Sequence, residues 1–195
     1  MRRSIGIAAV FGGVAPVVTY ACILLAVASY PEFSWTHNAL SDLGIVPGVT
    51  MTLFNSGLFV GGILFTIFAL GLFTYLRKTM IGKVGSFFFI LAALSIICVG
   101  IFNEHFKPTH FIVSVTLFSF MALSLLVLSG NFWFTGQKRL GIFTLALGLA
   151  AATIWVLEYT IRYFPHVAIP EFVSGLLGVT WVLVMVSKML KETPV

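Results

Sequence analysis

The sequence predicts an all-α fold, a polytopic bundle of six transmembrane helices that forms a single domain over residues 1–195. Three observations support this class: the mean hydropathy is +1.10, 59% of the residues are hydrophobic, and only 9% are charged. Soluble domains carry about 25% charged residues, so the charges available here are too few to cover a water-soluble globule. Disordered and coiled-coil proteins are excluded as well, because both require polar or charged sequence.

Each predicted span is an apolar segment close to or above the roughly 20 residues that a membrane-spanning helix needs. The segments cover residues 5–30, 51–76, 84–102, 109–130, 140–162 and 171–190. The first segment is longer than the apolar stretch of a secretory signal peptide, which is about 7–15 residues. We therefore expect a retained helix, kinked or locally broken at Pro16.

Basic residues are concentrated on one side of the predicted bundle and indicate its orientation. Nine of the eleven lie near the termini or in the two connections on that side: Arg2, Arg3, Arg77, Lys78, Lys83, Lys138, Arg139, Lys188 and Lys191. Only Lys107 and Arg162 lie on the other side. The positive-inside rule then predicts a multi-pass protein of a prokaryotic plasma membrane, with both termini in the cytoplasm. A basic excess that sets topology does not indicate nucleic acid as a partner.

Small residues within the spans predict close helix packing. Gly57 and Gly61 form a G-x-x-x-G pattern on the second span, and Gly175 and Gly178 lie on the sixth. The two cysteines, at positions 22 and 98, lie within spans and are expected to be apolar packing residues rather than a disulfide or metal pair.

The groups able to do acid–base or ligand chemistry lie on the opposite, outer side. All four histidines fall there, at positions 37, 105, 110 and 166. So do five of the six acids, namely Glu32, Asp42, Glu104, Glu158 and Glu171. The outer side is therefore where a functional site is expected.

The longest loop, residues 31–49, is also outer and is long enough to fold back over the bundle. Ser34 is a candidate N-cap for a short helix that continues through Leu43 and is closed by Gly44. Such a helix would place Asn38, Ser41 and Asp42 on one face. That face either points into water from an interfacial helix or points into the bundle from a lid, and Trp35 would sit at the headgroup level.

The loop carries the pattern S-W-x-x-N-x-x-S-D-L-G over residues 34–44, followed by N-S-G at residues 55–57 and by His110 at the start of the fourth span. In these features the chain resembles an uncharacterised family of prokaryotic six-helix membrane proteins, known as a domain of unknown function. Members commonly have Phe-Pro after the third span, where this chain has Phe102 and Asn103. The resemblance implies the fold and the topology, and it implies no activity.

The candidate site lies beneath the first outer loop, with Asn38, Asp42 and His110 at its centre. Asp42 and His110 are expected within hydrogen-bond reach of each other, directly or through one water molecule. Further ligand-binding candidates are Ser41, Asn55, Glu158 and Arg162, and further catalytic candidates are His37, Glu104 and His105. Free N–H groups at the helix start, together with Lys107, Arg162 and the histidines, would favour an anionic group such as a lipid phosphate or carboxylate.

Glu158 and Arg162 are spaced i, i+4 near the outer end of the fifth span, so we expect them to pair. A carboxylate at membrane depth is a candidate functional group. The other interpretation is structural, with Glu158 neutralising an arginine that extends towards the interface.

These residues predict a protein that binds or senses a lipid-like or small anionic ligand, or that acts as a subunit of a membrane complex. Whether the protein is an enzyme stays open; an outer-leaflet lipid hydrolase or transferase, possibly metal-assisted, is the first alternative. A transporter or channel and a b-type haem carrier follow. No cofactor is predicted; His37, His105 and His110 are weak zinc candidates because no H-E-x-x-H spacing occurs. Expected partners are membrane lipids, other membrane proteins or further copies of the chain.

Overall fold

The computed structural model describes residues 2–193 of the chain. In that range it forms six α-helices and two short 3₁₀ helices, Leu40–Ile45 and Glu104–Phe106. The α-helices are α1 (Arg2–Ala28), α2 (Val49–Leu76), α3 (Met80–Ile101), α4 (Thr109–Phe134), α5 (Lys138–Ile161) and α6 (Ala168–Glu192). Each is long and apolar enough to cross a membrane, which confirms the predicted all-α six-span fold.

Several helices begin at residues other than the predicted ones. α3 begins at Met80 rather than at residue 84, because the Thr79 hydroxyl caps the helix by accepting a hydrogen bond from the Gly82 N–H at 2.9 Å. α6 begins at Ala168 rather than at residue 171. α1 remains one helix through Pro16, so no break occurs there.

Consecutive helices pack side by side, and α6 contacts both α5 and α1, which closes the bundle. Trp181 of α6 is fully buried at the centre, where its ring lies 5.4 Å from that of Phe89 on α3. Its indole N–H donates to the Thr144 hydroxyl of α5 at 3.0 Å, so the ring is held by a buried polar contact as well as by packing.

The predicted glycine contacts are confirmed. Gly57 and Gly61 of α2 lie directly against Cys22 and Thr19 of α1, with no room for a Cβ atom at either glycine. On α6, a Cβ atom at Gly178 would lie 2.7 Å from the Met121 sulfur of α4. Small residues therefore set the closest approaches between these helices, as is typical of helices packed within a membrane.

Glycine also brings α4 and α5 together, but at one end only. A Cβ atom at Gly141 or at Gly148 of α5 would lie 3.1 Å from backbone atoms of α4. Beyond Gly148, towards the C-terminal end of α5, the facing surfaces of the two helices are separated by a cleft. α5 is also the least buried of the six helices.

The two ends of the bundle differ in chemistry. We call the end with the connections 29–48, 102–108 and 162–167 the histidine end, because all four histidines lie in or beside these connections. We call the opposite end, with connections 77–79 and 135–137, the basic end.

The loop at residues 29–48 does fold back over the bundle, but not as the predicted helix over residues 34–43. A turn at residues 35–37 is followed by the 3₁₀ helix Leu40–Ile45. The Asn38 side chain accepts a hydrogen bond from the Ser34 N–H, and the Asp42 carboxylate accepts one from the Ala39 N–H. A continuous helix would use the Ala39 N–H in its own hydrogen bonds, and the Asp42 side chain takes that donor instead, which explains the difference.

Replacement of Gly61 by alanine should destabilise the fold by about 1–3 kcal/mol, because the added methyl group overlaps Thr19 in a packed interface. The matched control is Gly130→Ala on α4, where the nearest atom to a Cβ is 4.0 Å away. That control should be neutral or stabilising by up to about 1 kcal/mol, since alanine is the better helix former. Thermal unfolding in detergent micelles compares the two variants; equal effects would contradict the α1–α2 contact.

Candidate functional site

A cleft of about 870 Å³ opens between α4 and α5 and extends inward from the histidine end. Along α4 it follows one face from His110 to Leu126, roughly 24 Å at 1.5 Å per residue. Its walls are mainly apolar, formed by residues such as Phe118, Ala122 and Ala152. Its ionisable groups are gathered at one end: Glu104, Lys107, His110 and Glu171.

His110 is the buried centre of this polar end, with 4% of its surface exposed. Its Nδ1 atom lies 2.7 Å from the Phe102 carbonyl oxygen. Because a carbonyl only accepts hydrogen bonds, Nδ1 carries a proton and donates. The other ring nitrogen, Nε2, lies 3.3 Å from Glu104 Oε1 and 3.4 Å from the Ser114 hydroxyl.

Glu104 connects three neighbours through its two carboxylate oxygens. Oε1 faces His110 and accepts a hydrogen bond from the Ser41 hydroxyl at 2.9 Å, while Oε2 lies 2.6 Å from the Lys107 ammonium. Burial acts to raise the pKa of Glu104, but the hydrogen bonds from Lys107 and Ser41 and the nearby positive charges outweigh it and lower the pKa. The carboxyl group is therefore ionised over a wide pH range.

Asp42 does not contact His110 directly, so that part of the prediction is wrong. The Asp42 carboxylate accepts hydrogen bonds from the Asn38 side-chain amide at 2.9 Å and from the Ala39 N–H at 3.0 Å. The spacing between Asn38 and Asp42 brings their side chains together as expected. Both side chains, however, make their hydrogen bonds within their own loop. Glu104 holds the position beside His110 that was assigned to Asp42. A bridge from Asp42 to His110 through water stays a prediction.

Asn38 serves instead to attach the loop to α6. Its backbone carbonyl accepts a hydrogen bond from the Ala168 N–H at 3.0 Å, at the first residue of α6. Two residues later, the Leu40 N–H donates to Glu171 Oε2 at 2.7 Å. Loop and helix thus exchange two hydrogen bonds, and each satisfies a backbone group that would otherwise lack a partner.

Asn55 of α2 also ties this loop down. Its side-chain amide donates to the Gly44 carbonyl at 2.9 Å, and the Asn103 amide donates to the same oxygen at 3.2 Å. A Cβ atom at Gly44 would lie 2.7 Å from Asn55 Oδ1, so a larger residue there would displace the Asn55 amide. Asn103, where the chain departs from the Phe-Pro pattern of the resembled family, thus contributes to closing the loop.

Glu158 and Arg162 do not form the predicted ion pair. Glu158 is 5% exposed, and its Oε2 has no hydrogen-bond partner within the described range. α5 ends at Ile161, and Arg162 follows with a left-handed backbone (φ 52°) and an exposed side chain. The i, i+4 spacing requires a continuous helix, and here the helix ends one residue before the arginine.

The remaining histidines lie outside the cleft. His37 is exposed and its Nδ1 contacts the hydroxyls of Ser34 and Thr36, at 3.2 and 2.9 Å. His105 and His166 are also exposed. Among residues 2–193, no group of three or more His, Cys, Asp or Glu side chains is placed to hold a metal ion.

A second, interior cavity of about 130 Å³ lies beside the cleft in the centre of the bundle. Four residues line both spaces, namely Ser41, Ser114, Phe118 and Glu171. Ser114 and Glu171 were not among the predicted ligand-binding residues. The signal for Ser114 was its position one helical turn after His110, which places the two side chains on one face.

The described residues thus define an integral, multi-pass helical membrane protein with a polar network at one end of an apolar cleft. The chain belongs to the family described as "Protein of unknown function (DUF998)", whose model matches residues 13–188. No curated protein and no solved structure matches the chain.

Replacement of Glu104 by glutamine should cost about 1–3 kcal/mol of stability at neutral pH, the range for hydrogen bonds to a charged group. Because the pKa of Glu104 is lowered in the folded state, its contribution to the free energy of unfolding is complete above the ordinary glutamate pKa. That contribution is lost as the pH falls through the lowered value. The difference between wild type and Glu104→Gln should therefore shrink in acid, as measured by thermal unfolding across pH. The control Glu32→Gln, at an exposed loop residue, should follow wild type; a constant difference for Glu104→Gln would contradict the lowered pKa.

Proposed function

We propose that this protein binds a membrane lipid in the cleft between α4 and α5. The acyl part lies along the apolar walls, and the headgroup lies at the polar end beside Glu104, His110 and Glu171. The observation that carries the proposal is the one-ended polarity of the cleft. It is apolar over most of its length, and its ionisable lining residues are gathered at the histidine end.

The size and the openness of the cleft towards the membrane both support a lipid. A volume of about 870 Å³ lies within the roughly 300–1,000 Å³ of typical ligand sites. Phe111 and Val156, which line it, are also 58% and 61% exposed on the surface of the bundle. The cleft is therefore continuous with the lipid-facing surface, and a lipid enters sideways from the bilayer.

Selectivity must come from the polar end. An acyl chain gains little by leaving lipid for an apolar protein wall, since both surroundings are equally apolar. The headgroup contacts therefore decide which lipid is held. This reasoning places the specificity of the site in the network around Glu104 rather than in the long walls.

The acidic side chains at that end favour a headgroup that donates hydrogen bonds. Two acidic side chains, Glu104 and Glu171, line the cleft. The one lysine in the lining, Lys107, is already paired with Glu104. Glu171 uses Oε2 to accept from Leu40 and keeps Oε1 available. A zwitterionic amine headgroup is therefore preferred over the anionic group that the sequence alone favoured.

We further propose that the histidine end faces outward and that both termini lie in the cytoplasm of a prokaryotic cell. The distribution of nine basic residues around the basic end supports this orientation through the positive-inside rule. The lipid would then come from the outer leaflet.

Cysteine labelling tests the orientation. In a background with Cys22 and Cys98 replaced by alanine, His166→Cys reports on the histidine end and Thr135→Cys on the basic end; both positions are exposed. A membrane-impermeant maleimide applied to intact cells should label His166→Cys and spare Thr135→Cys. Labelling of Thr135→Cys alone would reverse the proposed orientation.

Native mass spectrometry tests the lipid site. The protein is reconstituted into vesicles of phosphatidylethanolamine and phosphatidylglycerol and then extracted in mild detergent. Wild type should retain phosphatidylethanolamine in preference to phosphatidylglycerol. Ala152→Trp should lose retained lipid by about tenfold or more, equivalent to about 1.4 kcal/mol, because the indole fills the cleft.

The matched control is Leu149→Trp, on the same helix at an exposed position that does not line the cleft. It should retain lipid as wild type does. Equal retention by Ala152→Trp and Leu149→Trp would place the lipid elsewhere and overturn the proposal. Preferred retention of phosphatidylglycerol would overturn the headgroup assignment alone.

A further inference from the structure

We propose that Ser114 and His110 form a nucleophile–base pair that cleaves a carboxylic ester of the lipid held in the cleft. This inference rests on the proposed lipid site and goes beyond binding to a reaction. Three features carry it: an oriented histidine, a hydroxyl within reach of its Nε2 nitrogen, and an apolar cleft that delivers an ester to both.

The histidine is oriented for use as a base. The Phe102 carbonyl, 2.7 Å from Nδ1, fixes the proton on that nitrogen. In the neutral ring the lone pair is then on Nε2, which lies 3.4 Å from the Ser114 hydroxyl and 3.3 Å from Glu104 Oε1. Hydrolytic triads combine a nucleophile, a base and a third group that orients the base. Here a backbone carbonyl is the third group.

Ser114 is the hydroxyl that this base can activate. It lies one turn after His110 on α4, with its Oγ atom 3.4 Å from Nε2, and it lines both the cleft and the interior cavity. A catalytic hydrogen bond is commonly long before substrate binds and tightens in the complex. The other polar lining serines differ, since Ser41 donates to Glu104 and Ser119 lies more than a turn further along α4.

The reaction balances without a cofactor or an external oxidant. The Ser114 oxygen bonds to the ester carbonyl carbon while its proton moves to His110 Nε2. The carbon–oxygen bond to the lipid alcohol then breaks, and the alcohol takes that proton from Nε2. Water attacks the acyl–serine, giving its proton to Nε2, and the fatty acid leaves as the proton returns to the Ser114 oxygen.

Two neighbours stabilise the charges that form. Glu104 Oε1, 3.3 Å from Nε2, faces the imidazolium that exists in the intermediate. The indole N–H of Trp155 is buried, has no partner among the described residues, and belongs to a side chain that lines the cleft. We assign it to the developing oxyanion, the place where a preorganised donor contributes most to rate.

An alkyl fluorophosphonate, which reacts with activated serines, tests the nucleophile in protein reconstituted into phosphatidylethanolamine vesicles. Peptide mass spectrometry should find the label on Ser114, and Ser114→Ala should abolish labelling. Ser56→Ala is the matched control, a serine-to-alanine change at an exposed α2 position that lines neither the cleft nor the interior cavity, and should label as wild type does. His110→Ala should slow labelling by about 100-fold or more, the usual contribution of a general base.

Released fatty acid and retained lipid are measured on the same samples. Wild type should release fatty acid from phosphatidylethanolamine, and Ser114→Ala should retain the lipid without releasing it. Lipid retention with neither label nor fatty acid in wild type would overturn the catalytic proposal and leave the binding proposal intact. Absence of retained lipid in both wild type and Ser114→Ala would overturn the binding proposal itself, and labelling of Ser41 or Ser119 would overturn the assignment of Ser114.

Discussion

The attachment of the first loop to α6 is the interaction on which the polar end depends. Asn38 uses its side chain to shape the loop and its backbone carbonyl to hold the first residue of α6. The attachment buries Ser41, which is 5% exposed, against Glu104. With the loop held elsewhere, Glu104 would lose this donor, and the mouth of the cleft would lose one wall.

The sequence predicts the fold well and the site less well, for different physical reasons. Hydropathy identifies six spans because a helix in lipid must be apolar along its whole length. The spacing of Asn38 and Asp42 in the sequence also predicts correctly that their side chains meet. The direction of these side chains depends on competition between side-chain and backbone hydrogen bonds, which spacing does not reveal. The role of Glu104 is local only in part: Lys107 and His110 lie within six residues of it, whereas the contact with Ser41 requires two loops to meet in space.

The polar end illustrates how a membrane protein arranges scarce ionisable groups. Buried charges are tolerated when they are paired and hydrogen-bonded, and Glu104 satisfies this with a lysine, a serine and a histidine. Glu171 is stabilised by a backbone N–H instead. The two carboxylates therefore differ in character: Glu104 is part of a closed network, whereas Glu171 keeps an oxygen for an incoming group.

The glycine contacts between α4 and α5 hold the two helices together away from the open end of the cleft. Gly141 and Gly148 pin α5 to its neighbour near the basic end, while Tyr159 lies roughly 16 Å further along the same helix. A slight tilt of α5 about the segment that carries these glycines would therefore displace its C-terminal end the most. The width of the opening consequently depends on packing that lies far from the polar groups. A substitution at one of these glycines would therefore alter the width of the cleft at its mouth.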